Sequence, residues 1–340
     1  MTSEAPPSPR DALASLDEVP RSRLATLPTP LERGPGLPGG ARLWVKRDDL
    51  TGLGAGGNKA RKLEFLCGEA LRAGARSLVT VGAGQSNHCR MTAAAGAVLG
   101  LEVHLVLSGE RPARPTGNQL LADMFGAQLH YVGCPPSHWG ELEIAGEQLT
   151  DSLVADGAAP YSIPIGGSTA TGALGYLVAY VEIVEQCRAA GIVPAAIVHT
   201  TSSGGTHAGL VAGRALLRAA GQADAPPVLA IGVARGVVLG VPDVQELAGQ
   251  ALALVGSAAP VHDDDVEVDD RWVGPDYGVS TRAGTEGIRW AAVHGGWVLD
   301  PTYTGKGFAG LLGNAATGRW RTGEDVVFIH TGGLPGVFAE

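Results

Sequence analysis

From residue 41 to the C-terminus, short apolar runs alternate with longer stretches whose apolar residues recur every three or four positions. The short runs have the length and β-branched content of buried strands, and the longer ones have the period of amphipathic helices. Strands are predicted over 41–46, 77–81, 103–107, 128–132, 195–199, 228–233, 297–299 and 325–330. Helices are predicted from residue 59, then over 89–99, 116–125, 139–155, 171–190, 206–220, 243–255, 281–293 and 306–315. This alternation constrains the chain to an α/β fold with mainly parallel sheets flanked by helices. Ligands of such sheets lie beyond the carboxyl ends of the strands, so the loops that follow strands are where chemistry belongs.

At 340 residues the chain suits two domains, or one large α/β unit with an excursion. Its 51 glycines, about twice the average share, fall in clusters between apolar runs and mark tight turns. A net charge of -9 without a basic stripe argues against a nucleic-acid partner. No apolar run is long enough to span a bilayer, and the first ten residues lack a signal peptide's apolar core. The expectation is a cytoplasmic protein with a disordered tail over 1–20. Cys67, Cys89, Cys134 and Cys187 have no C-x-x-C or Cys/His ligand spacing. They are expected to be reduced core thiols, and no metal is expected.

Lys59 stands out within Gly56-Gly57-Asn58-Lys59-Ala60-Arg61-Lys62. Two glycines end a loop, Asn58 is a plausible N-cap, and Lys59 takes the first helical position. The positive helix end there favours the neutral amine, which is the nucleophile of Schiff-base chemistry. A solvated lysine beside a turn is the bland alternative. Gly82-Ala83-Gly84-Gln85-Ser86-Asn87-His88 follows a strand and opens a helix, which suits a carboxylate or phosphate. It also reads as an ordinary turn with Ser86 or Asn87 as N-cap. Thr200-Thr201-Ser202-Ser203-Gly204-Gly205-Thr206 follows another strand, and its backbone N–H groups can converge on one phosphate. No lysine follows its glycines and it is not a G-x-G-x-x-G fingerprint, so a compact phosphate ester fits better than a nucleotide. Thr331, in His330-Thr331-Gly332-Gly333, could hold a ring nitrogen through its hydroxyl. Tyr277 and Tyr303 lie in Gly-lined loops, as substrate-facing or rim residues.

A phosphate loop, a lysine for an aldehyde and a hydroxyl for a ring nitrogen together suggest pyridoxal 5'-phosphate. Five ordered segments carry a family resemblance: Lys46-Arg47-Asp48-Asp49, Gly57 to Lys62, Gln85-Ser86-Asn87-His88, Asp300-Pro301-Thr302-Tyr303-Thr304-Gly305-Lys306 and His330-Thr331-Gly332-Gly333. From Leu24 onward the chain resembles the D-cysteine desulfhydrase and 1-aminocyclopropane-1-carboxylate deaminase family, of the tryptophan-synthase-β-like fold (fold type II). The resemblance implies two domains with the cofactor in the cleft between them, 21–60 plus 172–340 forming the large one and 61–171 the small one. It implies that Lys59 forms the imine with the cofactor and that Asn87 bonds its phenolic oxygen. Ser203, Gly204, Gly205 and Thr206 would cradle the phosphate, and Thr331 would contact the pyridine nitrogen. Ser86, Asn87 and His88 would receive the substrate carboxylate, with Tyr277 and Tyr303 facing the substrate. It further implies a homodimer.

Deaminases of the cyclopropane acid carry glutamate directly after the tyrosine matching Tyr303, where this chain has Thr304. Threonine supplies no charge to the ring nitrogen, which makes that activity an unfavoured reading. The expected reaction is β-elimination on a small amino acid, D-cysteine giving pyruvate, ammonia and hydrogen sulfide. Lys59, Ser86 or a tyrosine would remove the Cα proton, and Tyr277 or Tyr303 would protonate the leaving group. Alternatives are L-cysteate sulfo-lyase action, a specialised biosynthetic enzyme for an unusual β-substituted amino acid, and a binding protein without turnover.

Overall fold

The computed structural model describes residues 9–234 and 243–339. Its strands form two sheets. The larger has the order β1-β2-β10-β7-β8-β9, built from Leu31–Gly36, Arg42–Lys46, Asp325–Ile329, Ala196–Thr201, Val228–Gly232 and Glu267–Asp269. The smaller has the order β5-β4-β3-β6, from Gln128–Tyr131, Glu102–Leu107, Ser77–Gly82 and Pro160–Ile163. Every pairing is parallel except that of β1 with β2. Central strands such as β3 and β7 are buried along their whole length, as expected when helices cover both faces.

Six helices matter for the site: α1 (Lys59–Arg72), α2 (Asn87–Leu99), α3 (Gly117–Met124), α4 (Trp139–Ala155), α5 (Ala170–Ala189) and α6 (Gly205–Ala219). α1 is shared between the cores. Leu63 and Leu66 pack into the small-sheet core, while Phe65 packs with α5 and α6. Beneath α1 lies a buried charge network. Arg61 donates to Asp48 (2.9 and 2.8 Å) and to Glu182 (3.0 and 2.8 Å). Tyr176 donates to Asp48 at 2.5 Å, and Lys46 pairs with Glu182. α5 approaches so closely that a Cβ on Gly175 would lie 2.3 Å from the Arg61 carbonyl oxygen. The network fixes α1, and with it Lys59, to the end of β2 and to α5.

Several expectations are corrected. The tail expected over 1–20 is ordered from Pro9: Pro9–Glu18 forms a 3-10 helix, with Ala12, Leu13 and Leu16 packed on the core beside α5; residues 1–8 lie outside the described residues. Residues 297–299, expected as a strand, form none; the Trp297 ring packs on Phe308 with centroids 6.4 Å apart. The short strands β1, β6 and β9 carry no alternation long enough to register. The Asn58 side chain does not cap α1; its amide donates to the Thr206 hydroxyl at 3.1 Å. All four cysteines are buried free thiols.

Candidate active site

The segments that follow β3, β6, β7 and β10 converge on one cleft, whose void measures about 770 Å³ with its open mouth. Lys59, Ser86, Asn87, His88, Ser203, Gly204, Thr206, Tyr277, Tyr303 and Thr331 all line it. Of the residues expected there from sequence, Gly205 is not in the lining, although it is the first residue of α6 directly behind Gly204.

Lys59 is the first residue of α1, delivered by a loop that glycines allow to come close. Gly57 (φ 133°) packs on Gly332 (φ 100°) so tightly that a Cβ on Gly332 would lie 2.7 Å from the Gly57 Cα. The Asn58 N–H donates to the Thr331 carbonyl at 3.0 Å, which joins the lysine loop to the loop after β10. Buried Arg90 on α2 clamps the same loop, donating to the carbonyls of Gly54 and Gly56 and to Asn118. The Lys59 Nζ donates to the Gly166 carbonyl at 3.2 Å. Burial lowers its pKa to about 8, because the desolvated ammonium has no carboxylate partner.

Sequence reasoning missed Lys62. One turn along α1, its Nζ donates to the same Gly166 carbonyl at 2.7 Å and reaches Ser168 at 3.4 Å. Burial and the neighbouring Lys59 hold it well below the usual lysine range. A Cβ on Gly205 would lie 2.5 Å from this amine, so Lys62 abuts the start of α6. Ser168 donates to Ser203 at 2.9 Å and accepts from the Gly205 N–H at 3.3 Å. The available signal was spacing: Lys59 and Lys62 are three residues apart on one helix and therefore share a face.

The cleft's far side is an anion cradle. Gly204 at φ 78° turns the chain into α6, and Ser202, Ser203 and Thr206 bring hydroxyls to the positive helix end. The buried hydroxyls of Thr200 and Thr201 have no hydrogen-bond partner among the described residues. Glycine-opened backbone, hydroxyls without a partner among the described residues and a readily deprotonated Lys59 fit a phosphorylated aldehyde. In that fit Lys59 would meet the aldehyde carbon and Ser203 to Thr206 would meet the phosphate, with the buried Lys62 amine behind Gly205.

Ser86 is the N-cap of α2, its hydroxyl accepting from the Cys89 N–H at 3.2 Å. His88 reaches the cleft wall, but its ring points into the small-sheet side. Its Nε2 bonds the Thr80 hydroxyl at 3.0 Å, and Thr80 donates to the Ile163 carbonyl at 2.8 Å. Thr80 therefore accepts from His88, leaving the buried Nδ1 without a partner among the described residues. Burial keeps the imidazole neutral, with its pKa well below the usual value, so His88 brings no positive charge to a carboxylate.

Tyr277 and Tyr303 hydrogen bond to each other through their hydroxyls, ring centroids 5.9 Å apart. Burial pushes the Tyr277 phenol up to about 12 and Tyr303 well above its usual value. Each loop is anchored. Asp300 accepts from the N–H groups of Thr302, Tyr303 and Thr304 and from the Thr304 hydroxyl, at 2.7 to 2.9 Å. Buried Lys306 donates to the Val273 carbonyl at 2.8 Å, fixing the segment that carries Tyr277. Thr304 is thus consumed in folding its own turn. Besides Lys59, no lysine or arginine among the described residues lines the cleft.

A family model described as pyridoxal-phosphate dependent enzyme matches residues 23–332. The D-cysteine desulfhydrases of Salmonella typhi and Salmonella newport (strain SL254) are 41% identical over 343 residues, covering 96% of this chain and 98% of theirs. A solved structure described as an ACC deaminase homologue superposes with a TM-score of 0.85 at 37% identity, covering 96% of both chains. A hydrogen sulfide-producing enzyme from Fusobacterium nucleatum shares the fold, with a TM-score of 0.63 at 14% identity over 97% of each chain. By the extent of the family match and by the identity of these relatives over nearly their whole length, the chain belongs to the pyridoxal-phosphate dependent enzymes.

Proposed function

We propose that the protein is a pyridoxal 5'-phosphate-dependent carbon–sulfur lyase that converts D-cysteine to pyruvate, ammonia and hydrogen sulfide. The observation that carries this reading is an amine whose pKa is lowered to about 8 and a pair of protonated phenols facing one cleft that, among the described residues, is lined by no other lysine or arginine. When bound, the cofactor supplies the electron sink for the pair released at Cα. The protein's own groups do the rest. Ser86, Asn87 and the backbone at the start of α2 receive the substrate carboxylate. The Lys59 Nζ takes the Cα proton; with a pKa of about 8 it is poised near neutrality. Ser86 is not the base, since among the described residues no imidazole, amine or carboxylate is hydrogen bonded to its hydroxyl. The tyrosines stay protonated at neutral pH and act as acid, one hydroxyl donating to the departing sulfur.

Two alternatives are disfavoured by particular residues. The sulfonate of L-cysteate asks for a cation beyond Lys59, and among the described residues the cleft wall supplies none. Ring opening of the cyclopropane acid asks for a carboxylate where Thr304 stands. The two sheets act as two domains in this reading, 21–60 with 172–340 and 61–171, in a cytoplasmic homodimer. Steady-state pyruvate release from D-cysteine, L-cysteine, L-cysteate and 1-aminocyclopropane-1-carboxylate tests the assignment. D-cysteine is expected to have the highest kcat/KM, and a preference for either of the last two compounds contradicts it.

A further inference from the structure

Trp139, the first residue of α4, lines the cleft from the small-sheet side. Its half-buried ring stands edge-on to Tyr277, centroids 6.3 Å apart at 86°. Tyr277 in turn meets Tyr303 at 5.9 Å and 65°. The three rings form a row with Tyr277 in the middle, and among the described residues they are the only tyrosine, tryptophan or phenylalanine side chains in a lining otherwise made largely of glycine, serine, threonine and asparagine. The row bridges the cleft, since Trp139 lies on the helix between β5 and β6 while Tyr277 and Tyr303 follow β9.

Trp139 is also held in register with the lysine. The Glu143 carboxylate, one turn along α4, accepts from the Ile165 N–H at 2.8 Å. Ile165 begins the turn whose Gly166 carbonyl receives both Lys59 and Lys62. The start of α4 is thereby tied to the turn that holds the Lys59 amine.

Resting on the lyase reading above, we propose that Trp139 is a specificity-determining residue that closes the pocket for the substrate's β-substituent. The leaving sulfur must reach a phenol to be protonated, so the β-substituent points along the aromatic row. The indole stops that row on the far side of Tyr277. A bare thiol fits, and a long or branched S-substituent meets the ring. The chemistry is the same for a free thiol or an S-substituted one: Lys59 takes the Cα proton, the Cβ–S bond breaks, its electron pair leaves with sulfur, a phenol supplies the proton, and water supplies the keto oxygen of pyruvate as the nitrogen leaves as ammonia.

The test compares the holoenzyme with Trp139→Ala and Trp139→Phe, measuring pyruvate release from D-cysteine and from S-benzyl-D-cysteine. Bound-cofactor absorbance confirms that each variant is assembled. In Trp139→Ala the ratio of kcat/KM for the S-benzyl compound over the free thiol is expected to rise at least about tenfold, within the range by which pocket size discriminates. Trp139→Phe is expected to fall between. Ratios unchanged within about twofold in both assembled variants, with D-cysteine still consumed, overturn the inference about Trp139 alone. No pyruvate from D-cysteine with the unaltered enzyme overturns the lyase reading beneath it.

Discussion

Two lysines one helical turn apart donate to one carbonyl oxygen, yet their surroundings assign them different work. Lys59 opens onto the cleft, while Lys62 is enclosed between the Gly166 turn and the start of α6. Burial without a carboxylate lowers the Lys59 pKa to about 8. Only the neutral amine attacks an aldehyde, and its fraction rises with pH, from roughly a tenth at pH 7 to roughly nine tenths at pH 9. The rate at which apoprotein takes up the cofactor is therefore expected to rise across that interval with a midpoint near 8. Stopped-flow absorbance at several pH values checks it; a rate that is flat from pH 7 to 9 contradicts the depressed pKa. The role of Lys59 was legible because a Gly-Gly loop delivers it to a helix start. Lys62 was not, because its amine acts on a carbonyl more than a hundred residues away. Asn58 misled for the same reason: Thr206, brought near by the fold, captured the amide that local reasoning gave to the helix end.

At the scale of elements, the turn Ile165–Gly167 after β6 does more than its sequence announces. Gly166 sits at φ 66°, and a Cβ there would lie 2.2 Å from the Ser203 Oγ and 3.4 Å from the Lys59 Nζ. Gly166→Ala is expected to cost about 1–3 kcal/mol from backbone strain alone. It is also expected to weaken cofactor binding at least about tenfold, by displacing Ser203; thermal melting and cofactor titration read the two effects separately. This turn was unreadable because it works through a carbonyl, and β6 before it is only four residues long. The network under α1 is a second device. Lys46, Asp48 and Arg61 were visible as family marks, and the structure shows that they fix α1 against α5 rather than touch the cleft. Arg61→Met leaves Asp48 and Glu182 buried with less compensation, a loss of about 3–5 kcal/mol by analogy with broken buried pairs. Arginine and its partners hold both carboxyls below their usual pKa values. Their stabilisation is therefore complete above the unfolded values and is lost as pH falls through the lower folded ones. The unaltered protein is expected to lose stability steeply with acid below about pH 4 and Arg61→Met less steeply. Urea midpoints between pH 3 and 7 measure this, and parallel curves would contradict it.

For the whole molecule, the alternation of elements sufficed to place the chemistry. Four loops after parallel strands meet in one cleft, as the rule for open α/β sheets requires, and the relatives at 41% identity belong to the same family. Features that depend on two distant segments meeting stayed hidden. The Trp139 ring, at the start of α4, and the Tyr277 ring, in a loop across the cleft, belong to distant segments, and neither advertises the other. Residues 297–299 have a strand's composition, but the Trp297 ring fills space beside Phe308 instead of extending the sheet. Everything proposed for catalysis depends on which amine binds the cofactor. Borohydride reduction of the holoenzyme followed by peptide mass spectrometry decides it. The cofactor-derived mass is expected on Lys59, with Lys62 unmodified and with no label in Lys59→Ala; label on Lys62, or undiminished label in that variant, would contradict the assignment.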